Sequence, residues 1–135
     1  MAANFIDHQA EVLRALLDAE ERALEKCGLF AEGAAKGNLT KNKSVDTGAL
    51  RNSVTYEVDL RSKQAVVGSN LRYALYVELG TGQYAPGGRD TPWVYKDGKG
   101  NWHTTRGNPA KPFLQPAVAK NAKTYRQIIK DELKD

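Results

Sequence analysis

From Asn4 to about Ala35 the apolar positions Phe5, Val12, Leu13, Leu16, Leu17, Ala23, Leu24, Cys27, Phe30 and Ala31 recur at intervals of three and four, with charges between them. That spacing lays them along one stripe of a helix. Some thirty helical residues extend about 45 Å, more than a domain of this size covers, so part of the helix is expected to rest on a neighbouring subunit. Residues 36–45 hold three lysines and few apolar groups, which predicts a solvated, mobile loop. Asp46 to Arg51 then reads as a single turn capped by Asp46 or Thr47, with Leu50 pointing inward.

From Ser53 the period becomes two. Val54, Tyr56, Val58 and Leu60 alternate with Thr55, Glu57 and Asp59, and Ala65, Val66 and Val67 follow a turn at Arg61-Ser62-Lys63, so 53–69 is a hairpin with one buried face. Leu71 to Gly80 fits either period. Asn70 as N-cap, helix formers at Ala74, Leu75 and Glu78, and Gly80 just past the end favour a short helix. Residues 80–90 are glycine-rich and irregular. Thr91–Lys96 and Asn101–Thr105 flank Asp97-Gly98-Lys99-Gly100, a turn composition, and form a second hairpin. After Lys111-Pro112-Phe113, the positions Leu114, Ala117, Val118, Ala122, Tyr125, Ile128, Ile129 and Leu133 make the stripe of one closing helix of about twenty residues. The fold class is α+β: a small, mainly antiparallel sheet of two hairpins packed against a long N-terminal and a C-terminal helix. One domain is expected over 1–135, with a helical part at 1–35 and a second part at 46–135.

Composition narrows the functional classes. The 135 residues are 41% hydrophobic and 27% charged, the balance of a folded globular chain. No apolar run is long enough to span a membrane, and the first residues lack a signal-peptide pattern, so neither membrane nor export is expected. The net charge of +4 is divided: residues 1–35 carry seven carboxylates against three cations, leaving a net +8 on the rest. Opposite charges on two parts of one chain favour pairing of unlike surfaces.

Candidate chemistry is sparse. A single cysteine, Cys27, permits neither an internal disulfide nor a thiolate cluster, and it reads as a small hydrophobe in the first helix. Only His8 and His103 could join carboxylates around a metal, and they stand on different elements, so no metal site, cofactor or catalytic centre is expected. His8 and Cys27 lie about 28 Å apart along one helix, too far for a nucleophile and its base. Gly82 to Arg89 has the glycine spacing of a phosphate loop, but Gly88 and Arg89 replace its lysine and hydroxyl, and Pro86 removes a cradle N–H. Tyr73, Tyr76, Tyr84, Trp93, Tyr95 and Trp102 stand among Arg72, Arg89, Lys96, Lys99 and Arg106. Such interleaving serves a single-stranded nucleic-acid platform or a protein interface; cross-strand pairing of the hairpin aromatics, or an interface, is the preferred reading, and specific nucleic-acid binding is not expected.

Read in order, Val45-Asp46-Thr47-Gly48-Ala49-Leu50-Arg51-Asn52-Ser53, Val67-Gly68-Ser69, Tyr73-Ala74-Leu75-Tyr76-Val77-Glu78-Leu79-Gly80-Thr81-Gly82 and Lys111-Pro112-Phe113-Leu114-Gln115-Pro116-Ala117 resemble the phage tail-completion family typified by gene product ten of phage HK ninety-seven. The resemblance runs from about Val45 to Ala122. It implies a non-enzymatic α+β virion subunit at the head-tail junction of a long-tailed phage or prophage, made in the bacterial host cytoplasm. Implied partners are further copies of itself in a six-fold ring, from a protein that can be monomeric when free, together with a head-completion protein and a tail tube or tail terminator protein. It favours helix for 71–79 and marks Leu50, Tyr73, Tyr76, Glu78, Gly80, Thr81, Gly82, Pro112 and Phe113 as core or interface positions. Trp93 and Trp102, in the hairpin insert, join them as interface candidates.

Overall fold

The computed structural model describes residues 2–42, 47–85, 87–96 and 98–134, with side chains from residue 9 onward and, in the second helix, from Gly48. Helix α1 runs from Ala2 to Asn42, 41 residues, about 60 Å at the α-helical rise. Along it Ala19, Ala23, Gly28, Ala31, Ala35 and Leu39 form a buried ridge at steps of three to five residues. Five of these six are alanine or glycine, so neighbouring elements approach the helix backbone closely. The ring of Tyr56 lies where a side chain on Gly28 would be.

Helix α1 therefore does not stop at Ala35, and the loop expected over 36–45 is helical through Asn42. The reason is tertiary. Gly37, Asn38, Thr40 and Asn42 are poor helix residues, but Ala35 and Leu39 are both fully buried in the core, and that burial outweighs local propensity. Residues 43–46, including the expected cap Asp46, lie outside the described residues.

Helix α2, Thr47–Ser53, buries Leu50 and leads through Val54 into strand β1, Thr55–Asp59, which pairs antiparallel with β2, Gln64–Gly68. Tyr56 pairs with Val67 and Val58 with Ala65; these four half-buried residues share the face turned to α1. Leu60, expected on that face, is exposed in the turn. There the Ser62 hydroxyl, and then the Arg61 and Ser62 N–H groups, donate to the Asp59 carboxylate and hold its pKa below the usual range, and Lys63 takes the left-handed conformation.

Helix α3, Tyr73–Leu79, settles the ambiguous stretch as a helix. Arg72, not Asn70, occupies its N-cap position, without a side-chain cap. A one-turn 3₁₀ segment at Gly82–Tyr84 precedes β3, Trp93–Lys96, and β4, Trp102–Thr105, which form a second antiparallel pair. The α+β class is as expected, with each hairpin making its own two-stranded sheet. The first lies against α1; among the described residues the second has no comparably extensive contact with either long helix.

The expected single closing helix is two: α4, Leu114–Ala119, and α5, Ala122–Leu133. They break at Lys120-Asn121, where the Asn121 side-chain amide donates to the Ala117 carbonyl at 2.9 Å and its backbone leaves helical geometry. The Tyr125 hydroxyl donates to the same carbonyl at 2.6 Å, and burial, then the neighbouring Cys27, raises its pKa. Tyr125 also meets Phe30 edge-to-face at 5.7 Å. The core is Ala35, Leu39, Leu50, Val54, Ala74, Phe113 and Ala117, with Val67, Leu71, Tyr73, Val77 and Leu114 packed around it.

Two predictions follow from this packing. Leu39→Ala should cost about 2–5 kcal/mol, the usual range for emptying a filled core site, whereas Lys41→Ala, on the exposed side of the same turn, should stay within about 0.5 kcal/mol; denaturant unfolding checks both. The Glu132 carboxyl, bridging Lys26 and Arg22 of α1, is held below the usual carboxylate range by those two hydrogen bonds. A lowered folded-state pKa stabilises above the unfolded value and is lost as pH falls through the folded one. Glu132→Gln should therefore lower the melting temperature at neutral and alkaline pH and converge on the wild type as pH falls through the folded-state value, flattening the acid side of a plot of melting temperature against pH.

Candidate functional site

The residues singled out by motif divide into a framework and an outer surface. Glu78 is central to the framework. Its carboxylate leaves α3 and accepts from the N–H groups of Phe113 (3.0 Å), Leu114 (2.8 Å) and Gln115 (3.1 Å) at the start of α4. A helix start leaves about four N–H groups without partners. Here three donate to one carboxylate, and the next position is Pro116, which has no N–H to satisfy. The negative charge also faces the positive end of the helix dipole.

The end of α1 holds the same segment from the other side. Asn38 donates to the Phe113 carbonyl at 3.1 Å, and Asn42 to those of Lys111 and Pro112, each at 3.2 Å. Phe113 itself is fully buried. These asparagines were not anticipated as functional, because the stretch carrying them reads as loop; their four-residue spacing, in step with Ala35 and Leu39, was the available signal. A hydroxyl relay joins the earlier motifs. Ser53 donates to the Leu50 carbonyl at 2.6 Å, its oxygen meets that of Ser69 at 2.5 Å, and Ser69 accepts from the Leu71 N–H at 3.1 Å. With one proton per hydroxyl, Ser69 donates to Ser53.

Gly80-Thr81-Gly82 is the base of an excursion. The Lys111 N–H donates to the Val77 carbonyl, that of Thr81 to Asn108, and that of Gln83 to Arg106, at 2.8–3.0 Å, while the Thr81 hydroxyl accepts from the Asn108 N–H at 2.8 Å. The two chain segments run so close that a side chain on Gly80 would come within 2.9 Å of the Ala110 nitrogen, and one on Gly82 would strike the Arg106 carbonyl; both glycines have positive φ.

The outer surface rises from that base. Tyr76, Gly80, Thr81, Gly82, Arg89 and Trp93 line a hollow of about 460 Å³, and Tyr73, Tyr76, Thr81, Asn108 and Lys111 line a neighbouring one of about 350 Å³. Tyr76, half exposed, belongs to both. In the second hairpin Trp93 and Tyr95 lie on one face, paired across the strands with Thr105 and His103; the Tyr95 and His103 rings stack at 5.3 Å. Trp102 is on the opposite face, 68% exposed. Arg89 lies over the Trp93 ring and Lys96 over that of Trp102, each 5.7 Å from the centroid. The structure thus gathers Tyr73, Tyr76, Gly80, Thr81, Gly82 and Trp93 into one region. It sets Leu50 and Phe113 in the core, leaves Pro112 exposed beside the latch, and keeps Trp102 apart.

Among the described residues no three histidine, cysteine, aspartate or glutamate side chains converge on a common point. The Cys27 thiol is half-buried at the α1–α5 contact, donates to the Tyr125 carbonyl at 3.8 Å, and has its pKa raised by burial, so it is held as the less nucleophilic thiol. Among the described residues no helix is long and apolar enough to cross a membrane.

Residues 4–80 match the bacteriophage HK97-gp10 tail-component family. The chain belongs to that family. No curated protein and no solved structure matches it. The matched span takes in most of α1 as well as the first hairpin and α3, so the long helix, which carries none of the short motifs, is part of what defines an HK97-gp10 tail component. It ends at Gly80, where the excursion begins. Membership makes this a structural component of a phage tail, in the company of other virion proteins.

The latch is tested by substitution. Glu78→Ala strands three N–H groups and should destabilise the fold by about 2–4 kcal/mol; Glu78→Gln, which keeps one acceptor but loses the charge, should cost roughly half as much. Glu57→Ala, an exposed carboxylate on β1, should change unfolding by no more than about 0.5 kcal/mol.

Proposed function

We propose that this tail component is a tail-completion subunit: a non-enzymatic, single-domain protein that assembles as a six-fold ring where the tail of a long-tailed phage meets the head. The observation that carries the reading is the family match together with its reach into α1, whose first half extends past the core it helps to build. The ring contacts a head-completion protein on one side and the tail tube or tail terminator on the other. The region around Tyr73, Tyr76, Thr81 and Trp93 suits one of those contacts, and the exposed Trp102 on the other face of the hairpin suits a second, since tyrosine, tryptophan and arginine are the usual anchors of protein interfaces. A cation already lies over one face of Trp93 and of Trp102, which supports a protein partner over stacked bases, because a base on that face would have to displace it.

Complementation tests the reading. A phage lacking this gene should accumulate full heads and unattached tails by electron microscopy, and the supplied protein should restore joined, infectious particles. Joined particles in its absence would overturn the proposal. A nucleic-acid role is the reading that would take its place if the purified protein bound single-stranded DNA with an affinity falling steeply as salt rises.

A further inference from the structure

Two apolar surfaces are left uncovered among the described residues. The first is the arm of α1. Every residue from 9 to 18 is exposed, and Val12, Leu13, Leu16 and Leu17 are between 45% and 65% exposed. At one- and three-residue steps these four make one apolar ridge. The second is an apolar groove of about 390 Å³ between the middle of α1, β2 and the α4–α5 pair, lined by Leu24, Cys27, Ala31, Val66, Val118 and Ile129. Its walls are also left open, with Val66 and Val118 each half exposed.

We propose that the arm of one copy seats its Val12–Leu17 ridge in this groove of the next copy. The inference rests on the ring reading and names the contact that would build the ring. Charge favours it. From residue 9 to 21 the arm carries Glu11, Asp18, Glu20 and Glu21 against Arg14, whereas residues 120–134 beside the groove carry Lys120, Lys123, Arg126, Lys130 and Lys134 against Asp131 and Glu132. Glu132 is already engaged by Arg22 and Lys26, as Glu20 is by Lys63, and the balance stays acidic on the arm and basic beside the groove.

Other occupants fit less well. The arm cannot fill the groove of its own chain, because both belong to one continuous helix and Leu16 stands eight residues before Leu24, about 12 Å along the axis. Two arms laid against each other would set like charges side by side. A ridge in one place and its groove in another make a head-to-tail contact, the kind that closes into a ring. The contact is small beside the roughly 800 Å² per partner of a stable pair, so it holds when many close together and not as an isolated dimer.

Cysteine cross-linking in complemented particles tests it. In a Cys27→Ser background, chains carrying both Leu16→Cys and Val118→Cys should give, on mild oxidation, a ladder of covalent multimers at least tenfold above either single variant. An intrachain bond is excluded by the same separation along α1, since a disulfide needs Cα atoms within about 7 Å. Dimers from Leu16→Cys alone would show arm-to-arm pairing and overturn the proposal. So would joined particles whose doubly substituted subunits stay monomeric, or link only to a different virion protein. Leu16→Lys provides a second measure: with unchanged thermal melting, it should reduce joined particles at least tenfold, and wild-type joining would overturn the docking. In either case joining that still depends on the protein leaves the ring reading intact, whereas joining without the protein removes that reading itself.

Discussion

The fold depends on how closely its other elements can approach one helix. The ridge Ala19, Ala23, Gly28, Ala31, Ala35, Leu39 is nearly free of bulk until its last member, so the first hairpin, α4 and α5 pack on α1 at short range. Close packing of backbone against backbone gains dispersion without large side chains. It also explains a core in which, among the described residues, four large side chains are fully buried, Leu39 near the C-terminal end of α1 and Leu50, Val54 and Phe113 clustered with it. The opposite half of the helix is structurally independent of that core.

Polar groups do the joining that a larger core would otherwise do. Glu78, Asn38 and Asn42 converge on residues 111–115 from two helices distant in sequence, and Ser53 with Ser69 ties α2 to the end of β2. Each interaction satisfies backbone groups at a helix end or a turn, where an unpaired group would be costly. Helix α5, by contrast, has no fully buried residue and is held by its margin: the Phe30–Tyr125 ring contact and the ion pairs of Glu132. Such an element is well placed to yield a surface to another chain.

The legible parts of the sequence were those with a strong period and those with a familiar motif. Alternation at Tyr56 and Val58, the stripe of α1, and the cap glycine of α3 gave the elements, and the motif order gave the family. What was missed depended on distance in the chain. Leu39 looked isolated among lysines and asparagines because its partners Leu50 and Phe113 lie 11 and 74 residues away. The break between α4 and α5 turns on one asparagine amide competing for the Ala117 carbonyl, and a continuous apolar stripe hides it. Glu78 stood in the motif list without a role; only the three-dimensional meeting of α3 with α4 shows what its carboxylate does.

The pinned base at Val77–Gln83 and Arg106–Lys111 has a consequence for how such a protein can change. Because both ends of the excursion are fixed on the body of the molecule, the entropy of closing it depends weakly on its length, about 0.6 kcal/mol for each doubling. Among the described residues its hairpin has no extensive contact with the long helices, so residues at its tip can be replaced, lengthened or removed without reopening the core. The excursion is a cassette on a fixed mount, and selection can rewrite it while the body that carries it stays the same.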